Sequence, residues 1–107
     1  MERSQFLSLS DACLERITAW LEDFDPDEVD FDQADGVVTL VFADGTKYVL
    51  NRQAAADQMW FAAGARAWHY EWIADAEAWR CDKDGHDLIE RIGESVSEKI
   101  GRAVAVG

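Results

Sequence analysis

The sequence is short of basic residues, and it lacks any long apolar run. It has 10 Lys and Arg against 22 Asp and Glu, a net charge of −12. This imbalance argues against binding to nucleic acid, because contact with a phosphate backbone needs clustered positive charge. No run approaches the roughly 18 apolar residues of a membrane-spanning helix, so we expect no membrane segment. The first residues lack the basic and apolar regions of a secretory signal, which predicts a cytoplasmic protein.

The few cysteines and histidines form no recognisable metal-binding, redox or catalytic motif. Cys13 and Cys81 are far apart and in no Cys-x-x-Cys motif, so we expect two reduced thiols on apolar faces. His69 and His86 are expected at the surface. The sequence has no Glu-x-x-His motif, no phosphate loop and no zinc-binding spacing. An enzyme such as a ferroxidase is therefore disfavoured, and we expect a protein that is not a catalyst.

The length and the hydrophobic periodicity predict a single α+β domain that covers residues 1–107. Apolar residues make up 49% of the chain, enough for a real core. They recur every three or four positions over roughly residues 4–23 and again after Asp84-Gly85, which predicts a helix near each end. Between the helices the period changes to two, which predicts strands around 29–32, 37–42, 46–51, 58–63, 68–72 and 79–81.

The connections between these strands predict how they pair. Asp44-Gly45 indicates a tight hairpin, in which we expect both residues to tolerate positive φ. A helix, a run of hairpin-connected strands and a second helix predict a two-layer sandwich. In it the N- and C-terminal helices pack on one face of an antiparallel sheet. The other sheet face is then solvated or available to a partner.

Acidic residues are concentrated where the first helix ends. Ten acids lie between Asp11 and Asp35, and Arg16 is the only base there. Glu22 and Asp23 lie at the C-terminal end of the helix, where unpaired carbonyls already create negative potential. Each carboxylate there is disfavoured by up to about 1 kcal/mol. Residues that break a local folding rule often mark a functional site.

The spacing of these acids predicts a continuous edge of carboxylates. Asp11, Glu15 and Glu22 share one helix face, and Asp30 and Asp32 project from one side of a strand. Such hard oxygen ligands suit Fe³⁺, Fe²⁺, Mg²⁺, Mn²⁺ or Ca²⁺, in a shallow site of weak and exchangeable binding. The spacing is not that of an EF-hand. The alternative is a solvated acidic face with no ligand.

A second feature is an outward-facing tryptophan on the predicted sheet. If Met59 and Phe61 point into the core, Trp60 points outward, near Asn51 and Gln53. An exposed tryptophan in this setting is typical of a protein-binding anchor. The alternative is a register shifted by one residue, which would bury Trp60.

Several segments, in this order, resemble the frataxin family, and within it the bacterial CyaY branch. They are the acidic first helix and strand, Asp35-Gly36-Val37-Val38-Thr39-Leu40, Asp44-Gly45, Lys47-Tyr48-Val49-Leu50-Asn51-Arg52-Gln53, Gln58-Met59-Trp60 and Trp79-Arg80-Cys81-Asp82. The resemblance covers nearly the whole chain. The chain departs from the family at Thr18 and Ala19, where relatives often carry carboxylates late in the first helix.

The resemblance implies a helix–sheet–helix sandwich and a role in iron–sulfur cluster assembly. It implies weak surface binding of Fe²⁺ and Fe³⁺, and of other divalent cations, and interaction with the cysteine desulfurase and the scaffold protein. The implied form is a monomer, with oligomerisation on iron loading left open. The implied partner-binding residues are Asn51, Gln53, Trp60 and His69. The implied iron ligands are Glu15, Glu22, Asp23, Asp25, Asp27, Glu28, Asp30 and Asp32.

Two functional hypotheses follow from these features. In the first, the chain is an iron-binding adaptor that donates iron to the assembly complex, regulates the desulfurase, or does both. In the second, it is an acidic protein-interaction module that modulates the desulfurase without metal. Partner binding in the presence of a strong chelator distinguishes them.

Overall fold

Along the chain, one helix precedes and another follows a run of six strands, as the hydrophobic periodicity predicts. The computed structural model describes residues 1–107. Neither helix is sufficiently long and apolar to cross a membrane. A 3-10 helix, Ala54–Ala56, joins the third and fourth strands. The main elements are α1 (Arg3–Leu21), β1 (Val29–Ala34), β2 (Val37–Phe42), β3 (Lys47–Gln53), β4 (Gln58–Ala63), β5 (Arg66–Ile73), β6 (Ala78–Cys81) and α2 (Leu88–Ile100).

The strands form one antiparallel sheet in which every strand pairs with its neighbours in sequence. The order is β1-β2-β3-β4-β5-β6. Both helices contribute to one cluster of 18 buried residues that also includes the inward-facing residues of all six strands. The predicted α+β sandwich, with both helices on one sheet face, is therefore confirmed. The opposite sheet face has no covering layer.

The helix ends follow capping chemistry. α1 ends at Leu21, two residues before the predicted end, and the N–H of Glu22 still donates to the Thr18 carbonyl at 3.0 Å. The Asp87 side chain caps α2 by accepting from the Glu90 N–H at 3.0 Å. α2 terminates at Gly101, whose φ of +78° is the left-handed conformation that glycine adopts without strain. These contacts mark the C-terminal end of α1 and both ends of α2.

The β2–β3 connection differs from the prediction in its backbone. Only Gly45 has positive φ, at +86°, and Asp44 does not. The Gly45 N–H donates to the Phe42 carbonyl, and the Phe42 N–H donates to the Thr46 carbonyl, both at 2.9 Å. The connection is thus a three-residue loop with glycine in its left-handed position, not a two-residue turn. The Asp44 carboxylate instead accepts from the Thr46 N–H at 2.9 Å.

Candidate functional site

Eight carboxylates lie in the second half of α1, in the α1–β1 connection and in β1, and we call them the acidic ridge. All are exposed except Glu28, which is half-buried. α1 has no basic residue in its last turn to offset the negative potential of its free carbonyls. The members of the ridge are Glu15, Glu22, Asp23, Asp25, Asp27, Glu28, Asp30 and Asp32.

Three of the ten acids between residues 11 and 35 are neutralised by arginines from elsewhere in the fold. Arg52 on β3 binds Asp11 through Nη1 and Asp35 through Nη2, the latter at 2.8 Å. Arg102 binds Glu28 with two hydrogen bonds, at 2.6 and 3.1 Å. Asp11 was expected to extend the carboxylate edge, and that expectation is wrong, because its carboxylate is held by Arg52. Of these three acids, only Glu28 belongs to the ridge.

The other seven ridge carboxylates make no ion pair. Asp25 and Asp30 accept backbone N–H bonds, from Asp27 at 2.9 Å and from Phe31 at 2.8 Å. These local bonds orient two carboxylates without supplying positive charge. The ridge therefore presents a run of uncompensated negative charge to solvent, which attracts cations and basic protein surfaces.

The ridge is not a preformed chelating site. In only one place do three potential ligand atoms all lie within 4.8 Å of one another. That place is outside the ridge, at Cys81, Asp84 and His86. A cation on the ridge would contact one or two carboxylates in these side-chain positions and keep much of its water. Thr18 is buried and its hydroxyl donates to the Glu15 carbonyl at 3.0 Å, so a carboxylate at this position would face the core.

The predicted outward orientation of Trp60 is confirmed by the sheet register. Met59 and Phe61 are fully buried, and Trp60 alternates with them on the open face. In one row across the sheet, Asn51 pairs with Trp60 and Trp60 pairs with His69. Gln53 lies on the same face, two residues along β3. We call Asn51, Gln53, Trp60 and His69 the sheet-face patch.

The aromatic side chains of this patch lie flat on each other. The rings of Trp60 and His69 are stacked, with centroids 4.2 Å apart and planes 12° from parallel. The indole N–H of Trp60 donates to the Gln58 side-chain oxygen at 2.9 Å, which sets how the ring is rotated within its plane. These two contacts hold the indole in one orientation, which lowers the entropy that a partner would lose by ordering a free tryptophan.

Two members of the acidic ridge lie on the same side of the sheet as the sheet-face patch. Asp30 pairs with Val41 and Asp32 pairs with Thr39, and all four residues face away from the helices. β1 is separated from β3 only by β2. With a strand spacing of about 4.8 Å and an offset of two residues along β3, the backbone of Asn51 lies roughly 12 Å from that of Asp32. One partner surface of ordinary size is able to cover both.

One prediction about the histidines is wrong. His69 is exposed as expected, but the His86 side chain is only 17% exposed. It contacts the hydroxyl of Tyr70 at 2.6 Å and the Asp84 carboxylate at 2.5 Å. Cys13 and Cys81 are buried and free, as predicted. The sequence signal available for His86 was its place beside Asp84-Gly85, a turn able to fold it back on β6.

The sequence is similar to those of known proteins over nearly its whole length. Residues 1–102 match the model of the frataxin-like domain. The iron–sulfur cluster assembly protein CyaY of Dechloromonas aromatica (strain RCB) is 36% identical over 107 residues, which cover 99% of each chain. The protein of the same name from Thioalkalivibrio sulfidiphilus (strain HL-EbGR7) is 37% identical over 92 residues, covering 85% of this chain and 86% of the relative.

Solved structures match the fold over most of its length. The frataxin of Psychromonas ingrahamii superposes with a TM-score of 0.88 at 26% identity, covering 100% of this chain and 99% of that one. The trimeric frataxin of the yeast Saccharomyces cerevisiae, complexed with ferrous iron, gives a TM-score of 0.75 at 23% identity, covering 88% and 87%. The yeast comparison supports the fold alone. By sequence and by architecture, this chain belongs to the frataxin-like family.

Proposed function

We propose that this chain is an iron-binding adaptor of iron–sulfur cluster assembly that acts without catalysing a reaction. The observation that supports this most directly is the acidic ridge, in which seven of the eight carboxylates have no cationic partner. The ridge includes the end of α1, whose last turn has no basic residue. The relatives named as iron–sulfur cluster assembly proteins share 36% and 37% identity with it, which favours this role.

The chemistry of the ridge suits iron that must be released again. Its ligands are hard carboxylate oxygens, which accept Fe²⁺ and Fe³⁺ and also other divalent cations. Since no three of them lie within 4.8 Å of one another, each ion keeps part of its hydration shell. Binding is then weak and exchangeable, as an iron donor requires.

The same surface suits docking on the cysteine desulfurase and the scaffold protein. The negative charge of the ridge steers the chain toward a basic surface. Trp60 of the sheet-face patch then serves as an anchor that becomes buried in the interface. Asp30 and Asp32 share the open face with the patch, so one partner contacts both features. We place this activity in the cytoplasm, where thiols such as the free Cys13 and Cys81 stay reduced.

Charge reversal of the ridge tests the proposal. The variant Glu22→Lys/Asp23→Lys/Asp25→Lys is expected to lose both Fe²⁺ binding and desulfurase association. Binding of Fe²⁺ is followed by an anaerobic NMR titration of the amides of residues 11–35, and desulfurase association by calorimetry. The charge-matched control reverses three exposed acids outside the ridge and the sheet-face patch, Asp75→Lys/Glu77→Lys/Glu98→Lys. Unchanged affinities in the ridge variant would exclude the ridge as the shared contact.

A second substitution separates docking from iron binding. Trp60→Ala removes the indole and its stack on His69. If Trp60 is an interface anchor, desulfurase affinity falls by about 30-fold or more, the effect of losing a hot-spot residue. Fe²⁺ binding on the ridge is expected to persist. An unaltered desulfurase affinity would place the interface elsewhere.

One observation favours a second candidate function, a metal-independent interaction module. The ridge carboxylates are spread along the chain rather than gathered into a chelating group. Such a surface docks on basic side chains without needing a cation. In this case desulfurase binding and regulation are unchanged by a strong chelator, whereas the iron-adaptor proposal predicts that the chelator alters them.

A further inference from the structure

The turn between β6 and α2 brings a thiol, a carboxylate and an imidazole together. The potential ligand atoms of Cys81, Asp84 and His86 all lie within 4.8 Å of one another. Backbone bonds close this turn, from the Gly85 N–H to the Cys81 carbonyl and from the Cys81 N–H to the His86 carbonyl, both at 2.9 Å. Gly85 has a φ of +76°, which allows the chain to fold back on itself. The backbone therefore sets the approach of the three side chains.

We propose that this turn is a second metal site, for a cation of the Zn²⁺ type, held by Cys81 Sγ, His86 Nδ1 and an Asp84 carboxylate oxygen. Thiolate and imidazole are the ligands that borderline cations prefer, and a water molecule completes a tetrahedral set. The site thus differs in chemistry from the acidic ridge, which offers only oxygen. It also lies outside the ridge and the sheet-face patch.

The surroundings of His86 orient its ring for this role. Its Nε2 lies 2.6 Å from the hydroxyl of the fully buried Tyr70, and its Nδ1 lies 2.5 Å from Asp84 Oδ1. The ring also makes edge contacts with Tyr70 and Trp68, at centroid distances of 5.2 and 5.9 Å. Metal-bound histidines donate their second N–H to such a partner. Tyr70 is then a positioning residue, which accepts from Nε2–H when Nδ1 binds the cation.

Exposure provides a route to the site. Asp84 is exposed and the His86 side chain is 17% exposed, whereas Cys81 is 6% exposed. A cation meets the carboxylate first and the sulfur last. On binding, the Cys81 thiol releases its proton to solvent, and the neutral imidazole holds its proton on Nε2, which leaves the Nδ1 lone pair for the cation. The thiolate and the carboxylate together balance the two positive charges of the cation.

Cobalt(II) titrated anaerobically into the intact protein is the probe. We expect a near-ultraviolet thiolate-to-cobalt charge-transfer band that saturates at one equivalent and disappears when Zn²⁺ is added. Cations on the ridge give no such band, because the ridge has no sulfur ligand. Cys81→Ser is expected to abolish the band. Cys13→Ser removes the other buried thiol and is expected to keep it. A wild-type protein without the band, or a band that survives in Cys81→Ser, would overturn the proposal.

Two further variants keep the test decisive if Cys81→Ser does not fold. Asp84→Asn changes an exposed side chain and is expected to weaken Co²⁺ binding at least tenfold, with Asp75→Asn as the exposed-acid control. Tyr70→Phe removes the partner of Nε2 and is expected to lower affinity by about 10- to 100-fold. Wild-type affinity in Asp84→Asn and Tyr70→Phe would show that the cluster is only a hydrogen-bonded turn.

Discussion

Arg102 binds Glu28 through two hydrogen bonds, from Nη2 to Oε1 at 2.6 Å and from Nε to Oε2 at 3.1 Å. These hydrogen bonds from Arg102 lower the pKa of the Glu28 carboxyl and raise the pKa of the guanidinium. The pair ties the segment after α2 to the start of β1. It also neutralises one carboxylate of the acidic ridge, so the charge available to a cation depends on a residue far away in sequence.

Replacing Arg102 is expected to lower the stability of the protein slightly and to strengthen cation binding on the ridge. In Arg102→Gln the melting temperature at low salt falls slightly, and the rise on adding a divalent cation becomes larger, because Glu28 is freed. Since the folded-state pKa of Glu28 is depressed below its ordinary 4.5, the stability difference is present above pH 4.5. It vanishes as the pH falls through the folded value. Thermal melts against pH and cation concentration check this.

Arg66→Gln is the matched control for that experiment, since Arg66 is exposed and makes no ion pair. The same change in net charge then occurs without loss of the Glu28 contact. If both variants respond alike, net charge rather than the pair governs the cation effect.

Acid stability is expected to depend on the contact between Asp44 and Lys99. Lys99 Nζ donates to Asp44 Oδ2 at 2.6 Å, and the Thr46 N–H donates to the same carboxyl. These bonds hold the pKa of Asp44 far below its ordinary 3.8. Its contribution to stability is therefore complete above pH 3.8 and is lost as the pH falls through the folded value. The free energy of unfolding, measured with urea at a series of pH values, should fall less steeply at acid pH in Asp44→Asn than in the wild type. Asp75→Asn should keep the wild-type dependence on pH.

Gly36 is expected to be the glycine least tolerant of a side chain. Its φ is +76°, and an added Cβ would lie 2.9 Å from Nε and 3.1 Å from Cγ of Arg52. Gly45 has a similar φ of +86° but open space around it. Gly45→Ala therefore measures the backbone cost, about 1–2 kcal/mol. Gly36→Ala should lose more in urea unfolding, because it also displaces Arg52 from Asp11 and Asp35.

Equal losses in the two glycine variants would show that Arg52 moves aside without cost. In that case the arginine is not held tightly between α1 and the β1–β2 turn. The urea midpoints, with an unchanged denaturant dependence, give this answer directly.

The crowded ridge is expected to destabilise the protein at low salt. Added salt or a divalent cation should raise the melting temperature, by screening the carboxylates or by binding them. In Glu22→Gln/Asp23→Asn/Asp25→Asn the melting temperature should be higher at low salt, and both responses should shrink. A wild-type melting temperature that stays constant through both titrations would contradict the charge argument.

The sequence by itself determined the elements and the alternation of faces along each strand, whereas the register that exposes Trp60 was settled by the structure. Strand periodicity is a local property: once Met59 and Phe61 are assigned to the core, Trp60 must point to the other side. The change of period from about four to two likewise located both helices and all six strands. The acidity of the ridge was visible for the same reason, since its members are close together in sequence.

Tertiary structure decided which charges remain free and which polar groups meet. Asp11 and Arg52 are 41 positions apart, and Glu28 and Arg102 are 74 apart, so no spacing rule connects them. The contact between His86 and Tyr70 depends on how the β6–α2 turn folds back against β5. Such contacts form only when packing fixes the distance between elements, because side chains reach a few ångströms while the intervening chain can take many paths.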